Sequence, residues 1–367
     1  MVVTAALRWW CVGIGVVLLV ATPMFVRALP VSDDDLSAGA LLERIRDSRG
    51  LSFSGYAESA GNVGLPANDE LESLSELLSG TSRTRVWWRD PEVWRVATVR
   101  TTGETDLVHE PGRTTRWVFE SRSVTIFPDV PMRLPNTADL LPHELTRRVL
   151  AGARPSELSR LPARRVAGRA ALGLRLTPAD EQASIGRVDV YADRASGLPL
   201  RVELYARGSV TPSLISRFLE VSLERPSAEE VDFEAPRCAH ERFDGVVDLA
   251  AAADRFAARV PPATLAGLPA RGPTEGSVGV YGRGPTVLIA VPLWSRSAER
   301  VREDLRRSPG VRVLDQGVLV GAPPLRLLLA QPEPNDGSWL LAGTVTQRAL
   351  LDAAEQLGRD RPGLRFP

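Results

Sequence analysis

The sequence predicts an α+β protein: an N-terminal membrane segment, a curved antiparallel open β-barrel (a half-barrel) with covering helices, and a small C-terminal α+β domain. Three observations predict it. Trp9 to Val26 is an uncharged, mostly apolar run, of the length that reads as membrane-spanning. Between Arg83 and Leu223, apolar residues recur with period two in short segments separated by turns, the pattern of strands. After Gly276, strand-like and helix-like segments follow each other in a second, shorter unit.

At 367 residues the chain has room for two domains and a targeting segment. With 44% hydrophobic and 25% charged residues it can build a core and is no disordered polymer. The 45 basic and 45 acidic residues cancel, which argues against a nucleic-acid partner. Every basic residue is Arg, beside abundant Ala, Gly and Pro; that bias fits a GC-rich coding sequence, so Arg clusters carry little weight. Cys11 lies inside the apolar run and cannot pair with Cys238 in a mature fold, so no disulfide framework is expected.

Residues 1–28 are read as a signal peptide or a membrane anchor. Arg8 precedes the run and Arg27 follows it, so the positive-inside bias is weak, and the short N-terminal tail favours an inside N-terminus. Small residues flank Arg27 in Val26-Arg27-Ala28, as cleavage after Ala28 requires, yet the run is long for a signal core. Both readings export the rest, bound to the cell membrane if the segment is kept and secreted if it is cut.

Leu36 to Ser48 has the apolar stripe of a helix (Leu36, Leu41, Leu42, Ile45), closed by Gly50. Leu51–Tyr56 alternates as a strand, and Asn68–Leu78 reads as a short helix. Strands are expected at Thr84–Arg89, Glu92–Arg100, Glu104–His109, Thr114–Phe119 and Ser123–Phe127. A Pro-rich break, 128–142, leads to a helix at His143–Leu150. Strands resume at Arg164–Val166, Leu172–Leu176, Gly186–Tyr191, Leu200–Tyr205 and Ser216–Leu223. Leu200, Val202 and Leu204 share one face and Arg201, Glu203 and Tyr205 the other, as in a sheet with one covered and one solvated face. Residues 36–225 thus form the half-barrel domain, and 226–275 a Pro/Ala-rich linker with one helix at Asp248–Arg259. The C-terminal domain, 276–357, has strands at Ser277–Tyr281, Thr286–Val291, Val311–Val320 and Leu325–Leu329, and Trp339–Val345 leading into a last helix. Its helices are Ser297–Arg307 and Gln347–Leu357.

No catalytic constellation emerges. His109, His143 and His240 lack the spacing of a zinc motif. No G-x-S-x-G elbow occurs, and Gly282-Arg283-Gly284 lacks the Lys of a phosphate loop and reads as a hairpin turn. Asp33-Asp34-Asp35 does not space as a calcium loop. No enzyme activity, metal or cofactor is expected. His109-Glu110 reads as an exposed polar pair, and Glu144 as a complement to a helix dipole. The aromatic residues are more informative: Trp87, Trp88, Trp94, Trp117, Phe119 and Phe127 fall on successive strands. In a flat sheet half would lie on the solvated face, at a cost for groups this large. A concave sheet lets them line a hydrophobic groove, and an ordinary core is the alternative.

The stretch Arg187-Val-Asp-Val-Tyr-Ala-Asp193-Arg-Ala-Ser-Gly197-Leu-Pro199-Leu-Arg-Val-Glu-Leu-Tyr205 resembles a hairpin of lipoprotein carrier proteins and sigma-E regulatory periplasmic proteins (the LolA-like and RseB-like superfamily). There a strand ends in Asp, a Ser/Thr-Gly turn follows, and Leu-Pro-Leu-Arg starts the return. Phe53-Ser54-Gly55 and Arg85-Val86-Trp87 resemble actinobacterial, membrane-anchored members. The resemblance spans roughly residues 36–225. It implies an unclosed half-pipe whose concave side binds acyl chains or lipoproteins, and a C-terminal domain like that of the sigma-E regulatory type. Two functions are therefore expected. One is an extracytoplasmic, membrane-associated protein that binds lipid or lipoprotein acyl chains. The other is an envelope-stress regulator or transporter accessory that docks on an anti-sigma factor or another membrane protein through Arg300, Arg302, Arg306 and Arg307, with no lipid cargo.

Overall fold

A computed structural model describes residues 33–63, 72–100, 103–130, 133–236, 239–243, 260–272, 276–321, 323–331 and 338–360. Trp9–Val26 and the expected helix Asp248–Arg259 lie outside the described residues. Among the described residues no helix is long and apolar enough to cross a membrane.

The first unit begins with helix α1 (Ala38–Asp47), capped by the Ser37 hydroxyl, which accepts from the Ala40 N–H. Strand β1 (Phe53–Gly61) and the short helix α2 (Glu72–Leu78) follow. A meander of β2 (Thr81–Asp90), β3 (Val93–Arg100), β4 (Gly103–Glu110), β5 (Arg113–Val118) and β6 (Ser123–Pro128) comes next. Helix α3 (Pro142–Val149) precedes a second meander, β7 (Leu158–Val166), β8 (Arg169–Leu176), β9 (Ile185–Asp193), β10 (Pro199–Ala206) and β11 (Leu214–Ser222). One turn of helix, α4 (Ala228–Val231), leads to β12 (His240–Phe243).

All twelve strands form one open sheet in the order β12-β6-β5-β4-β3-β2-β1-β11-β10-β9-β8-β7. Strand β1 joins the two meanders, pairing with both β2 and β11. The helices α1 and α3 pack into the sheet: Leu41, Leu42, Ile45, Leu145 and Val149 share a core with Leu172, Leu174, Leu176, Val188, Val190 and Val202. Strand alternation supplies this face, since residues two apart on a strand point the same way.

The opposite face differs from the solvated one expected. Glu203 and Tyr205 are buried, 5% and 8% exposed, because arginine stems and guanidinium groups cover them. The Glu203 carboxylate accepts from Arg201 at 2.5 Å and from the Tyr205 hydroxyl at 2.6 Å. Arg175 pairs with the buried Asp189, and Arg187 lies 3.6 Å over the Tyr205 ring. The hairpin between β9 and β10 closes as its sequence requires. Gly197 has φ +77°, the Asp193 carboxylate accepts from the Ser196 N–H and hydroxyl, and Pro199 opens the return strand. A Cβ at Gly197 would sit 2.3 Å from the Arg44 carbonyl oxygen, so glycine also lets this turn abut α1.

Strand β12 was not expected. The sequence reads 226–275 as a linker, but His240–Phe243 adds a twelfth strand, parallel to β6, in a sheet otherwise antiparallel. Four residues are too few for period two to show. The hairpin β13 (Thr264–Leu265) and β14 (Leu268–Pro269) was missed for the same reason, and Leu265 and Leu268 belong to the second core.

The second unit is a six-stranded sheet, β15-β16-β20-β19-β18-β17. Its strands are β15 (Gly279–Arg283), β16 (Thr286–Leu293), β17 (Arg312–Leu314), β18 (Gly317–Val320), β19 (Arg326–Ala330) and β20 (Ser338–Gly343). Val311–Val320, expected as one strand, is a hairpin that turns at Asp315-Gln316. Helix α5 (Ser295–Arg306) packs Leu305 on Val318, Val320 and Leu329. Helix α6 (Gln347–Asp360) packs Leu350, Ala353 and Leu357 against Trp339, Leu328 and Leu341.

The two units are joined by Val63 and Leu78 packing on Leu327, by backbone hydrogen bonds (Thr346 N–H to Gln182 O, 2.7 Å), and by a two-pronged ion pair. Arg283 reaches the Glu157 carboxylate at 2.7 and 2.6 Å, which also accepts from the Arg154 and Ala179 N–H groups. Hydrogen bonding from Arg283 holds the Glu157 carboxyl at about 2. In the unfolded chain a Glu titrates near 4.3, so this pair stabilises the fold fully above that pH and is lost as pH falls toward 2. Denaturant midpoints between pH 5 and 2.5 should therefore fall more steeply for the wild type than for Glu157→Gln. Parallel curves would show that the carboxylate contributes nothing.

Candidate functional site

Between the sheet and the helices α1 and α3 lies a trough of about 830 Å³. Its floor is a row of residues that pair across five strands. Phe53 on β1 faces Trp88 on β2, Trp88 faces Trp94 on β3, Trp94 faces His109 on β4, and His109 faces Thr114 on β5. The rings follow one another: Phe53 to Trp88 at 6.1 Å, Trp88 to Trp94 at 5.6 Å and Trp94 to His109 at 5.1 Å, with planes 4–20° apart. These are offset stacks, the favourable arrangement for π-systems. The His109 ring nitrogen Nδ1 lies 3.0 Å from the Thr114 hydroxyl and 3.8 Å from Asp129.

Helix α3 is the facing wall. Pro142 supplies its first turn, so His143 enters the floor directly. The His143 ring stands edge-on to Phe53 at 4.9 Å and Trp88 at 4.3 Å. Both its nitrogens, and the Thr146 hydroxyl one turn on, are buried without a hydrogen-bond partner. Such groups are costly, about 1–3 kcal/mol each. Burial pushes the His143 imidazole down to about 4, leaving it neutral at pH 7.

The rim is charged. Arg46, Arg49, Arg133, Arg147 and Arg148 line it with Glu92, Asp129, Asp139 and Glu144. Asp139, 3% exposed, accepts from Arg133 at 2.6 and 3.0 Å and from Arg148. Burial alone would raise its carboxyl; the hydrogen bond from Arg133 and the charge of Arg148 outweigh that and hold it low. Glu144 pairs with Arg147 at 2.6 Å. Arg49 has no acidic partner among the described residues.

Of the six aromatics expected in a groove, Trp88 and Trp94 line the trough. Phe127 is on the same face, opposite Thr114 and under the Arg116 guanidinium, beyond the cavity. Trp87 and Trp117 point to the other face, as alternation along β2 and β5 requires. Trp87 lies beneath Arg95 at 5.4 Å, and Trp117 packs on Phe233, 5.9 Å away, in the segment after α4. Phe119 falls past the end of β5, in a turn, 64% exposed. Sequence reasoning missed Phe53 and His143. The spacing of His143, Thr146 and Leu150 marks one helix face; a His on the buried stripe of a short helix is the signal that was there to read. On α5, Arg302 is taken up by Glu299 and Gln331. Among the described residues no group of three or more His, Cys, Asp or Glu side chains could hold a metal ion.

No family model and no curated protein matches the chain. Among solved structures, it is similar to the Pseudomonas aeruginosa MucA/MucB complex, at 18% identity and a TM-score of 0.48, covering 86% of this chain and 96% of that one. It is likewise similar to MucB in complex with MucA(peri), at 18% identity and a TM-score of 0.47, covering 86% and 97%. A LolA superfamily protein from Nitrosomonas europaea is similar at 11% identity and a TM-score of 0.26, covering 54% and 98%. MucB-type and LolA-type proteins are the kinds that the Arg187–Tyr205 hairpin resembles.

The His143 seat makes the first unit acid-sensitive in a second window. The unfolded imidazole titrates near 6.5 and the folded one at about 4, with Glu144 and Arg147 as the charges that act on it. Stability is therefore full above pH 6.5 and falls as the pH drops toward 4, by at most about 3 kcal/mol. His143→Phe should flatten the denaturation profile across pH 6.5–4; an unchanged slope would mean that His143 is already solvated.

Proposed function

We propose that the chain is an extracytoplasmic, membrane-associated binding protein whose trough takes a lipid or lipoprotein acyl chain. The observation that carries this is the trough itself. At about 830 Å³ it lies within the range of ligand pockets, roughly 300–1,000 Å³. An apolar floor under a charged rim suits an amphiphile, with its chain against Phe53, Trp88 and Trp94 and its head beside Arg46 and Arg49. Each buried CH₂ contributes about 0.8 kcal/mol, so a few methylenes suffice without polar anchors in the floor. The apolar run Trp9–Val26 supports placement at a membrane. The likeness to MucB, solved with MucA(peri), keeps a second reading in view, in which the same fold holds a membrane protein partner.

Native mass spectrometry of the purified protein should show co-purified lipid, and fluorescent fatty acid should be taken up with quenching of Trp88 and Trp94. Leu51→Trp, which places an indole in the trough, should weaken uptake roughly tenfold, about 1.4 kcal/mol. Neither bound lipid nor uptake would overturn the reading. A stoichiometric protein partner with an empty trough would replace it with the regulatory one.

A further inference from the structure

The outer face of the large sheet, away from the trough, carries a second cavity of about 700 Å³ at β11, β1 and β2. Strand register lays out its floor as two rows. Glu220 on β11, Tyr56 on β1 and Arg85 on β2 form one row, and Ser222, Ser54 and Trp87 form the other. A β-bulge lies at its border: Tyr56 pairs with Glu220 and Ala57 with Phe218, so Leu219 has no counterpart on β1. A bulge bends its strand and re-aims the side chains beside it. A Cβ at Gly55 would sit 2.5 Å from the Glu220 carbonyl oxygen, so glycine permits the close approach of β1 and β11 there.

The neighbouring row shows how this face otherwise handles charge. Glu58 lies between Arg83 and Arg217 and binds both, at 3.1 and 2.7 Å. In the cavity the order is reversed, with a ring between acid and base. Glu220 and Arg85 flank Tyr56, ~10 Å apart at two strand spacings, and neither has a hydrogen-bond or ion-pair partner among the described residues. The Tyr56 hydroxyl and the Trp87 indole N–H lack one as well. Trp87 is nonetheless held in place from the β3 side, where Arg95 stacks on it at 5.4 Å and is itself gripped by the buried Asp106. The cavity thus offers two aromatic rings, a cation that only donates, a carboxylate that only accepts, and hydroxyls that do both.

Several ligand classes suit this set poorly. Strands β1, β2 and β11 are interior to the sheet, each with a neighbour on both sides, so a peptide cannot add to them as a further strand. One Arg and one Glu cancel, which leaves no net attraction for an anion. An acyl chain would strip water from both charges and return no hydrogen bond. A sugar ring meets every group: its C–H face packs on an aromatic ring, while its hydroxyls accept from a guanidinium and donate to a carboxylate. We propose that the outer cavity is a saccharide-binding site, where a neutral glycan lies across Tyr56 and Trp87 with its hydroxyls held by Arg85 and Glu220. This site is separate from the trough and stands whether or not the trough takes lipid.

The test is titration of the full chain with maltotriose, cellotriose and triacetylchitotriose, read by tryptophan fluorescence and by saturation-transfer NMR. At least one glycan should bind at millimolar concentration or below, with the strongest transfer to its ring C–H protons. Arg85→Ala and Glu220→Ala remove exposed, unpaired groups, so each should keep the wild-type Tm and weaken binding roughly tenfold. Trp87→Phe should abolish the fluorescence response while a weaker saturation transfer persists. Uptake of fluorescent fatty acid should be equal in all of these variants, which keeps the two sites distinguishable. Binding of none of the three glycans would overturn the proposal, as would a glycan bound equally well by wild type and both alanine variants. Inorganic phosphate bound in place of glycans, and more tightly by Glu220→Ala, would make the cavity an anion site instead.

Discussion

The stacked row from Phe53 through Trp88 and Trp94 to His109 holds a position in this molecule that no other contact shares. It runs perpendicular to the strands, across the hydrogen-bonding direction, and so ties register to packing. A one-residue slip of β2 would turn Trp88 to the far side and bring Trp87 into its place. The row is also the surface on which α3 rests, because His143 is wedged edge-on between the first two rings. The curved sheet, the helix that spans it and the space between them therefore depend on one alignment of side chains.

The opposite face of the sheet solves a different problem. A sheet this wide carries apolar and aromatic residues on both sides, and the longer helices α1 and α3 cover only one of them. Arginine covers much of the other side here. Arg95 shields Trp87, Arg164 and Arg187 lie on Tyr191 and Tyr205, and the buried acids Asp189, Asp193 and Glu203 each keep an Arg partner. Guanidinium suits this work, being flat, weakly hydrated and able to stack and bridge at once. Arginines set aside as compositional bias when read along the sequence are, on this face, a structural layer.

Much of the fold could be read from the chain because strands of eight or nine residues display their alternation. Leu172, Leu174 and Leu176 announced their shared face, and the Asp193–Pro199 turn announced its hairpin through Gly197 and Pro199. Short elements were not legible: β12 and the β13–β14 hairpin have too few residues for any period, and the turn at Asp315-Gln316 is hidden within a run of apolar residues. The site was half legible. Trp88 and Trp94 differ from Trp87 only by parity along a strand, which requires an exact register to resolve. His143 lay on a segment eight residues long, where its role depends on a sheet assembled from residues far away.

Strand β1 has a consequence for the order in which the chain can assemble. It lies in the middle of the sheet, with β2 as one neighbour and β11 as the other, and Ser54 pairs with Ser222. Contacts that distant in sequence form slowly, because a long loop must close first. Until residues 214–222 arrive, β1 presents an unpaired edge with Phe53 and Ala57 on its apolar side, the kind of edge that recruits foreign strands. Any truncation upstream of Leu214 would lock the chain in that state, making aggregation rather than a smaller folded piece its natural end.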